Sequence, residues 1–341
     1  MKKFALIILS VFLAASCSGK EGNTPDWPWE DPEVVEPGKD DAEEDKWLDV
    51  SSQFGTLPDY LKVYRSAEKL EGKPAVAYIA VADMKSAGWD VWSVRSDATY
   101  ATEDSYMTPS EAYRKFGSPI VINGGFFYHS GGTNYTSSLA VSSSELLAYN
   151  INYASEDWVT IYYPTRAAFM QKADGSFDAC WTYYGNGGHF MYPSPAMNSW
   201  SGKPKEQPSS SYPKKAETFA AVTAIGGGPV LINDGKFTDS YEAELFNGNS
   251  GIGPDTDQPR TAIGVTADSK LIFFVCEGRN MTKGVNGLTT ADVANILLDL
   301  DCVEAVNLDG GGSSCMLVNG KETIKVSDGR QRAVASVVML K

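Results

Sequence analysis

The sequence predicts an α+β fold, in which a few helices pack on a curved sheet that is mixed or antiparallel. Thirty-two glycines, 17 prolines and 17 tyrosines favour strands joined by many turns over a bundle of helices. Short β-type runs recur along the chain, whereas only two segments carry convincing helix signals. This combination is typical of a sheet with a small number of packed helices.

The composition excludes several classes of protein. The 341 residues are 43% hydrophobic and 21% charged, which is the profile of a globular protein and not of a fully disordered chain or a multi-span membrane protein. The net charge of −14 argues against a nucleic-acid partner, although most of the acidity is concentrated between residues 21 and 49.

The first residues resemble a bacterial lipoprotein signal. Two lysines precede an apolar run over 4–15 that is too short to span a bilayer, and small residues come directly before Cys17. We therefore expect a lipoprotein signal peptide over 1–16 and acylation of Cys17. The protein would then be exported and lipid-anchored to a bacterial membrane, in the periplasm or at the cell surface, and would contact the membrane through this anchor only. The alternative is ordinary cleavage beside an unmodified cysteine.

Two further regions follow the signal. Residues 17–49 hold four prolines and twelve acidic side chains but little aliphatic surface, which predicts an acidic, Pro-rich tether. No second low-complexity stretch divides residues 50–341, so we expect one domain there.

Ten runs of that domain are predicted to be strands. They are 75–83, 89–94, 120–123, 159–163, 228–232, 262–266, 271–276, 305–308, 315–318 and 333–340. Asn319-Gly320 and Asp234-Gly235 each lie between apolar residues and predict hairpin turns that need positive φ angles.

Two helices are predicted from their ends. Thr108, Pro109 and Glu111 supply an N-cap, a first-turn proline and a capping box, and Gly117 ends this helix. The second begins near Thr289 or Thr290 and places an apolar stripe on one face.

Residues of about 165–218 are predicted to be a long, aromatic-rich insertion. Their tyrosines and tryptophans, including Trp181, Tyr184 and Trp200, are interleaved with Gly, Ser, Asn and Pro without periodicity, which indicates an ordered loop. The aromatic rings could stack on sugars or hold the loop against the domain, and the sequence leaves both open.

The chemistry-bearing motifs follow strands. The strongest is 307–314, in which a strand ends in a carboxylate and runs into three glycines and two serines. Glycines also follow the strand at 121–127, and further motifs stand at 226–231, 259–264 and 274–279. No lysine follows the 310–312 glycines and the next element is a strand, so a phosphate-binding Walker loop is excluded.

In this order and with these spacings, the motifs resemble those of the phosphodiester glycosidase family. The resemblance covers roughly residues 74–341 apart from the insertion, and it includes Ala82-Asp83-Met84 and Arg332-Ala333-Val334-Ala335. The chain departs from the family at Cys315, where Thr is common, and at Glu277, where Asp is common.

The resemblance implies a hydrolase that cleaves a sugar-1-phosphate diester at the glycosidic bond. Free sugar and a phosphomonoester would be released from a glycan or cell-surface polymer. Asp309 and Glu277 are the candidate catalytic carboxylates, and Arg260 is the candidate group for the phosphate. Glu277 with Arg279 could instead be a surface ion pair.

Several further residues are expected to bind the substrate. Backbone N–H groups of the glycine loop would help hold the phosphate, and amide and hydroxyl side chains would orient sugar or phosphate oxygens. These candidates are Asn123, Gly124, Gly228, Arg279, Asn307, Gly310, Gly311, Gly312, Ser313 and Ser314.

Other functions and ligands stay open. The chain could be a carbohydrate-binding lipoprotein without catalysis, or a phosphodiesterase that cleaves the P–O bond. No cofactor is required by the sequence, although Asp309, Asn307 or Glu277 could supply oxygen ligands for Ca²⁺ or Mg²⁺.

Overall fold

The structure, a computed structural model, describes residues 46–96, 101–246 and 251–341. The expected signal peptide over 1–16, Cys17 and the tether as far as residue 45 lie outside these described residues. The end of the expected tether does not match the structure. Trp47–Asp49 form a strand whose residues pair antiparallel with residues 64–66 of the domain.

Strands dominate the described part of the chain. In chain order they are β1 Trp47–Asp49, β2 Leu61–Ser66, β3 Lys69–Leu70, β4 Lys73–Pro74, β5 Ala77–Asp83, β6 Trp89–Ser93, β7 Ala101–Thr102, β8 Ile120–Asn123, β9 Phe127–Ser130, β10 Thr133–Thr136, β11 Ala140–Ser142, β12 Glu145–Ala148, β13 Arg166–Gln171, β14 Phe177–Gly185, β15 Gly188–Tyr192, β16 Glu217–Thr218, β17 Thr223–Gly226, β18 Val230–Asn233, β19 Lys236–Phe237, β20 Arg260–Thr266, β21 Lys270–Cys276, β22 Cys302–Asn307, β23 Met316–Val318, β24 Lys321–Glu322 and β25 Ser336–Leu340.

Two α-helices are found among the described residues, α1 over Pro109–Phe116 and α2 over Thr290–Asp299. The capping box predicted at Thr108 is confirmed, and α2, which was predicted to begin near Thr289 or Thr290, also has a capping box, with Thr289 as its N-cap. Gly117 ends α1 in the left-handed conformation, as expected. No helix in this part of the chain is long and apolar enough to cross a membrane.

The strands form three large sheets. The eight-stranded sheet has the order β1-β2-β5-β21-β20-β22-β18-β19, the seven-stranded sheet β12-β11-β17-β13-β14-β15-β16, and the five-stranded sheet β24-β23-β8-β25-β6. Strands β7, β10 and β9 form a small sheet, and β3 pairs with β4. The pairings recorded between strands are antiparallel, for example β20 with β21 and with β22. The fold is therefore mostly β, and the α+β prediction overstated the helices.

The main core lies between the three large sheets. Val63, Phe273 and Val306 of the eight-stranded sheet belong to one buried cluster with Phe169 of the seven-stranded sheet and Ile122 of the five-stranded sheet. A second cluster joins the outer face of the eight-stranded sheet to α2, and a third joins the five-stranded sheet to α1. Burial of this apolar surface fixes the sheets against each other.

The predicted insertion is the clearest correction. Residues 165–218 are not one long loop, because β13 to β16 lie within them and β13 pairs with both β14 and β17. The β-type residues were present, but β13 is buried along nearly its whole length and shows no alternation. The strand predicted over 159–163 is also wrong, since that segment contains only a single bridge between Tyr162 and Ala154.

Both predicted hairpins are confirmed. Asp234 and Gly235 have φ angles of 50° and 68° between β18 and β19. Asn319 and Gly320 have φ angles of 46° and 78° between β23 and β24. Positive φ at both central positions is what a tight antiparallel turn of this type requires.

Replacing Thr289 by alanine is expected to lower the free energy of unfolding by about 1 kcal/mol. The hydroxyl of Thr289 accepts a hydrogen bond from the Asp292 N–H at 3.1 Å, and alanine leaves that N–H without this partner. Urea unfolding followed by circular dichroism measures the loss. Thr289→Ser keeps the hydroxyl and is the control, and an equal loss in both variants would contradict the assignment of the effect to the cap.

Candidate active site

A cavity of about 530 Å³ opens where the ends of β13, β20 and β22 meet. Its lining contains a polar set of residues, which includes most of those that the sequence motifs singled out, and an aromatic set. The polar set contains Arg166, Gln258, Arg260, Arg279, Asn307, Asp309, Gly310, Gly311, Gly312 and Arg332. The aromatic set contains Phe126, Phe127, Tyr128, Tyr153, Trp158, Trp200 and Phe246.

Asp309 reaches the cavity because β22 ends two residues before it. Its main chain is fixed from both sides: the Asp309 N–H donates to the Gly124 carbonyl at 3.1 Å, and the Asn123 side-chain amide donates to the Asp309 carbonyl at 2.6 Å. The Asn123 side-chain oxygen accepts from the Thr261 hydroxyl at 2.8 Å and from the Cys315 N–H at 3.1 Å.

This geometry corrects the expected role of Asn123 and Gly124. Asn123 is fully buried, and neither residue lines the cavity. Their donors and acceptors are engaged with the protein itself. Both residues therefore position Asp309, and neither is placed to bind a substrate.

The Asp309 carboxyl has an unusual acidity. Burial raises its pKa to about 6, while a hydrogen bond from the Ser313 hydroxyl, the charge of Arg332 and the Gly310 N–H act in the opposite direction. The Gly310 N–H lies 2.9 Å from the carboxyl oxygen Oδ1. A carboxyl with such a pKa exchanges protons readily near neutral pH, which suits acid–base or electrostatic catalysis.

The glycine loop does not form the open anion cradle that the sequence predicts. The Gly310 N–H binds Asp309, and the Gly311 N–H donates to the Pro259 carbonyl at 2.9 Å. The glycines instead make room for cations. A Cβ atom on Gly311 would lie 2.7 Å from Arg279 Nη2, and one on Gly312 would collide with Arg332.

The remaining polar groups of this region have mixed roles. Asn307 donates to the carbonyls of Gly228 and Leu308, both at 2.8 Å, while its side-chain oxygen is buried without a hydrogen-bond partner. The Ser314 hydroxyl is likewise buried without a partner, and the Ser313 hydroxyl accepts from Arg332 at 3.3 Å. Of these residues, Asn307 lines the cavity, whereas Gly228, Ser313 and Ser314 do not.

Arg260 does not have the role that the sequence predicts. It is 2% exposed, and its guanidinium donates to four backbone carbonyls at 2.6–3.1 Å, those of Ile252, Gly253, Thr256 and Leu288. Arg260 therefore holds the 252–256 loop at the edge of the cavity. Its donors are directed at the chain and are not available for a two-point grip on phosphate.

Glu277 is buried outside the cavity. One carboxyl oxygen accepts from the Lys325 N–H at 2.9 Å, and the other has no hydrogen-bond partner. The alternative, a surface ion pair between Glu277 and Arg279, is not formed: Glu277 is buried, and Arg279 Nε donates to Gln258 at 3.1 Å. Glu277 thus ties β21 to the segment that leads to Arg332, and it is not brought to Asp309 as a second carboxylate.

Two arginines of the cavity were missed as site residues. Arg332 donates to Asp328 at 2.6 Å and lies beside Asp309. The sequence marks it only as the first residue of the Arg332-Ala333-Val334-Ala335 motif. Arg166 begins β13 in the region taken for a loop, and its guanidinium lies 4.0 Å from the centre of the Phe246 ring. No local signal marks Arg166, because only the pairing of β13 with β17 brings it to the cavity.

The three aromatic side chains that the sequence offers for stacking on sugars do not form one surface. Trp181 is buried in the core, and Tyr184 stacks on Tyr149 with 3.8 Å between ring centres. Trp200 does line the cavity. Trp158, which is 81% exposed at the mouth, was not identified from the sequence as a stacking residue.

A divalent cation finds few ligands here. Asp309 and Asn307 line the cavity and Glu277 does not, so the three suggested ligands do not face one site. Among residues 46–96, 101–246 and 251–341, no group of three or more His, Cys, Asp or Glu side chains could hold a metal ion.

Comparison with known proteins agrees with the motifs. The family model described as phosphodiester glycosidase matches residues 116–341. Human N-acetylglucosamine-1-phosphodiester alpha-N-acetylglucosaminidase is 33% identical over 99 residues, which are 29% of this chain and 18% of that protein. An uncharacterized SPbeta prophage-derived protein of Bacillus subtilis, YomE, is 38% identical over 82 residues, 24% of this chain and 12% of that protein. The chain thus matches less than a fifth of the length of these relatives.

Solved structures share the fold across most of the chain. The catalytic domain of the zebrafish N-acetylglucosamine-1-phosphodiester alpha-N-acetylglucosaminidase superposes with a TM-score of 0.54 and 18% identity, covering 86% of this chain and 87% of that one. A hypothetical protein from Synechocystis gives a TM-score of 0.53 and 16% identity over 84% of this chain and 64% of that one. The family model covers about two thirds of the sequence, so the resemblance seen in the motifs is confirmed: the chain belongs to the phosphodiester glycosidase family.

Proposed function

We propose that this protein is a hydrolase that cleaves a sugar-1-phosphate diester at the glycosidic bond. It releases the free sugar and a phosphomonoester, and its substrate is a glycan or a cell-surface polymer. Family membership supports the reaction type. The observation that carries the proposal is the composition of the cavity lining, which combines the carboxyl group of Asp309 with several guanidinium groups and several aromatic side chains.

That composition fits an anionic leaving group. Ordinary glycosidases use two carboxyl groups, one of them as the acid that protonates the leaving oxygen. Here Asp309 and the exposed Glu156 at the mouth are the carboxylates among the described lining residues. A phosphate monoester leaves readily near neutral pH, and nearby cations stabilise its charge, so a second buried carboxyl acid is not needed.

Asp309 then acts in its ionised form. Its carboxylate either directs a water molecule at the anomeric carbon or stabilises the positive charge that develops there in the transition state. The sugar would lie between Asp309 and the aromatic side chains, because sugar rings stack on aromatic faces.

The proposal extends to the location of the enzyme. We propose export and lipid anchoring through Cys17, with the acidic segment as a spacer between the membrane and one catalytic domain. Support comes from the basic, apolar and small-residue order of the first 17 residues. An exported enzyme would meet glycans and cell-surface polymers as its substrates.

Replacing Asp309 by asparagine is expected to lower turnover of a sugar-1-phosphate diester roughly a hundredfold or more, since the negative charge is lost while the size is kept. Turnover by wild type and by the variant is measured on a panel of such diesters. The reactions are run in ¹⁸O-labelled water, and the products are analysed for the label. Label in the free sugar supports the proposal. Label in the phosphate would show a phosphodiesterase, and glycan binding without any hydrolysis would show a binding protein. Near-normal turnover by a correctly folded variant would remove Asp309 from the mechanism.

Replacing Arg332 by glutamine is expected to move the acid limb of the pH profile upward. The wild-type kcat/KM should fall as the pH drops through about 6, where Asp309 becomes protonated. Arg332 lowers the pKa of Asp309, so loss of its charge should raise that pKa, and screening of the partly exposed side chain keeps the rise small. Arg332→Lys keeps the charge and is the control. An unmoved acid limb in Arg332→Gln would contradict the coupling.

Replacing Trp158 by alanine is expected to raise KM for a long glycan substrate by about three- to tenfold and to leave the turnover of a small diester unchanged. The exposed ring at the mouth contacts parts of the substrate that do not react, so its binding energy does not change during the chemical step. Val159→Ala, at an equally exposed neighbour outside the cavity lining, is the matched control. An unchanged KM for the long substrate would show that Trp158 is not a binding surface.

A further inference from the structure

Four arginines line the cavity, and each of three donates to at least one other group of the protein. Arg260 is bound by four backbone carbonyls, Arg279 Nε donates to Gln258, and Arg332 donates to Asp328. Arg166 differs, because its Nε and Nη1 atoms are buried without a hydrogen-bond partner. This residue is 7% exposed and lines the cavity.

The fold fixes the Arg166 guanidinium in place without using those donors. Its planar group lies over the Phe246 ring at 4.0 Å from the ring centre, a favourable cation–π position. The negative charge of Glu244 acts on Arg166, but the Glu244 oxygens accept their hydrogen bonds from the N–H groups of Ala167 and Val230 and from the side chains of Trp181 and Ser240. Glu244 therefore balances the charge without pairing with the Nε and Nη1 atoms of Arg166.

Such an arrangement is costly unless a ligand completes it. Burial lowers the pKa of Arg166 to about 10, so the group is still a cation at neutral pH. A buried cation with two unpaired N–H groups is unfavourable, because it has lost its water and has gained no acceptor. Either edge of the guanidinium, Nε with Nη2 or Nη1 with Nη2, matches two oxygens of a phosphate group, which would supply an acceptor to one of the unpaired atoms.

Arg166 is also close to the reacting carboxyl in the fold. The Gly227 N–H donates to the carbonyl of Ala167, next to Arg166, at 3.3 Å. The Cα of Gly227 faces the Asn307 backbone so closely that a Cβ there would lie 3.3 Å from the Asn307 carbonyl carbon. Arg166 and Asp309 also line the same cavity of about 530 Å³, so a diester bound there can contact both.

We propose that Arg166 binds the non-bridging oxygens of the substrate's phosphate and so selects phosphate-linked sugars over sugars with uncharged leaving groups. This inference rests on the proposed function for the identity of the substrate, whereas the anion site itself rests on the geometry alone. It assigns to Arg166 the phosphate-binding role that was predicted for Arg260.

The test compares Arg166→Gln and Arg166→Lys with wild type and with Arg114→Gln, a control at an exposed arginine of α1. Two quantities are measured on the full chain: the Kd for inorganic phosphate by calorimetry, and kcat/KM for a sugar-1-phosphate diester and for the nitrophenyl glycoside of the same sugar. We expect Arg166→Gln to weaken phosphate binding at least thirtyfold and to lower kcat/KM for the diester at least a hundredfold, with less than a threefold loss on the aryl glycoside. Arg166→Lys should fall between Arg166→Gln and wild type.

The outcomes separate the two proposals. If wild type hydrolyses no diester, the proposed function fails, while phosphate binding that is lost in Arg166→Gln still supports the anion site. Three results would each overturn the role of Arg166. Wild type does not bind phosphate, Arg166→Gln binds phosphate as well as wild type does, or Arg166→Gln loses equal kcat/KM on both substrates. Melting temperatures verify that the variants fold. If Arg166→Gln does not fold, Arg166→Lys is judged by the same criteria. A loss of phosphate binding together with a selective loss of kcat/KM on the diester supports the inference, and no selective loss overturns it.

Discussion

The Asn123 side chain is the constraint on which the candidate site depends. Its one amide group joins three parts of the chain, because it donates to the Asp309 carbonyl and accepts from the Thr261 hydroxyl and the Cys315 N–H. These contacts connect the five-stranded sheet to the eight-stranded sheet at the point where β22 ends. An aspartate would lack the donor, and an aliphatic residue would leave three buried polar groups unpaired. The position of the Asp309 carboxyl is therefore set by a residue that does not reach the cavity.

The electrostatics of the cavity follow from this placement. A carboxyl group fixed in a partly buried wall becomes harder to ionise, and the neighbouring Arg332 and Ser313 limit that effect. Gly311 and Gly312 have no side chains, which lets Arg279 and Arg332 lie directly against the loop. The glycine-rich motif thus brings cations close to Asp309, although its Gly310 and Gly311 N–H groups are engaged within the protein.

Local signals in the sequence were sufficient for the parts of the fold that local interactions determine. The cap at Thr108, the start of α2 near Thr289 and the Asn319-Gly320 turn depend on neighbouring residues, and all three were predicted. Roles that depend on distant partners were not. Arg260 looked like a phosphate ligand, but the loop carbonyls that surround it come together only in the folded chain. Arg166 gave no signal, because β13 is buried on both faces and its partner β17 lies far along the sequence.

The order of the strands also bears on how the protein folds. In the five-stranded sheet, β25 lies between β8 and β6, although the chain that separates β8 from β25 contains most of the other two large sheets. Pairing between such distant segments loses a large amount of loop-closure entropy, and this makes folding slow. Until Ser336–Leu340 are in place, β6 and β8 each have an unsatisfied edge, which is a site for pairing with another chain. A newly made molecule is therefore exposed to aggregation along β6 and along β8, the strand that carries Asn123.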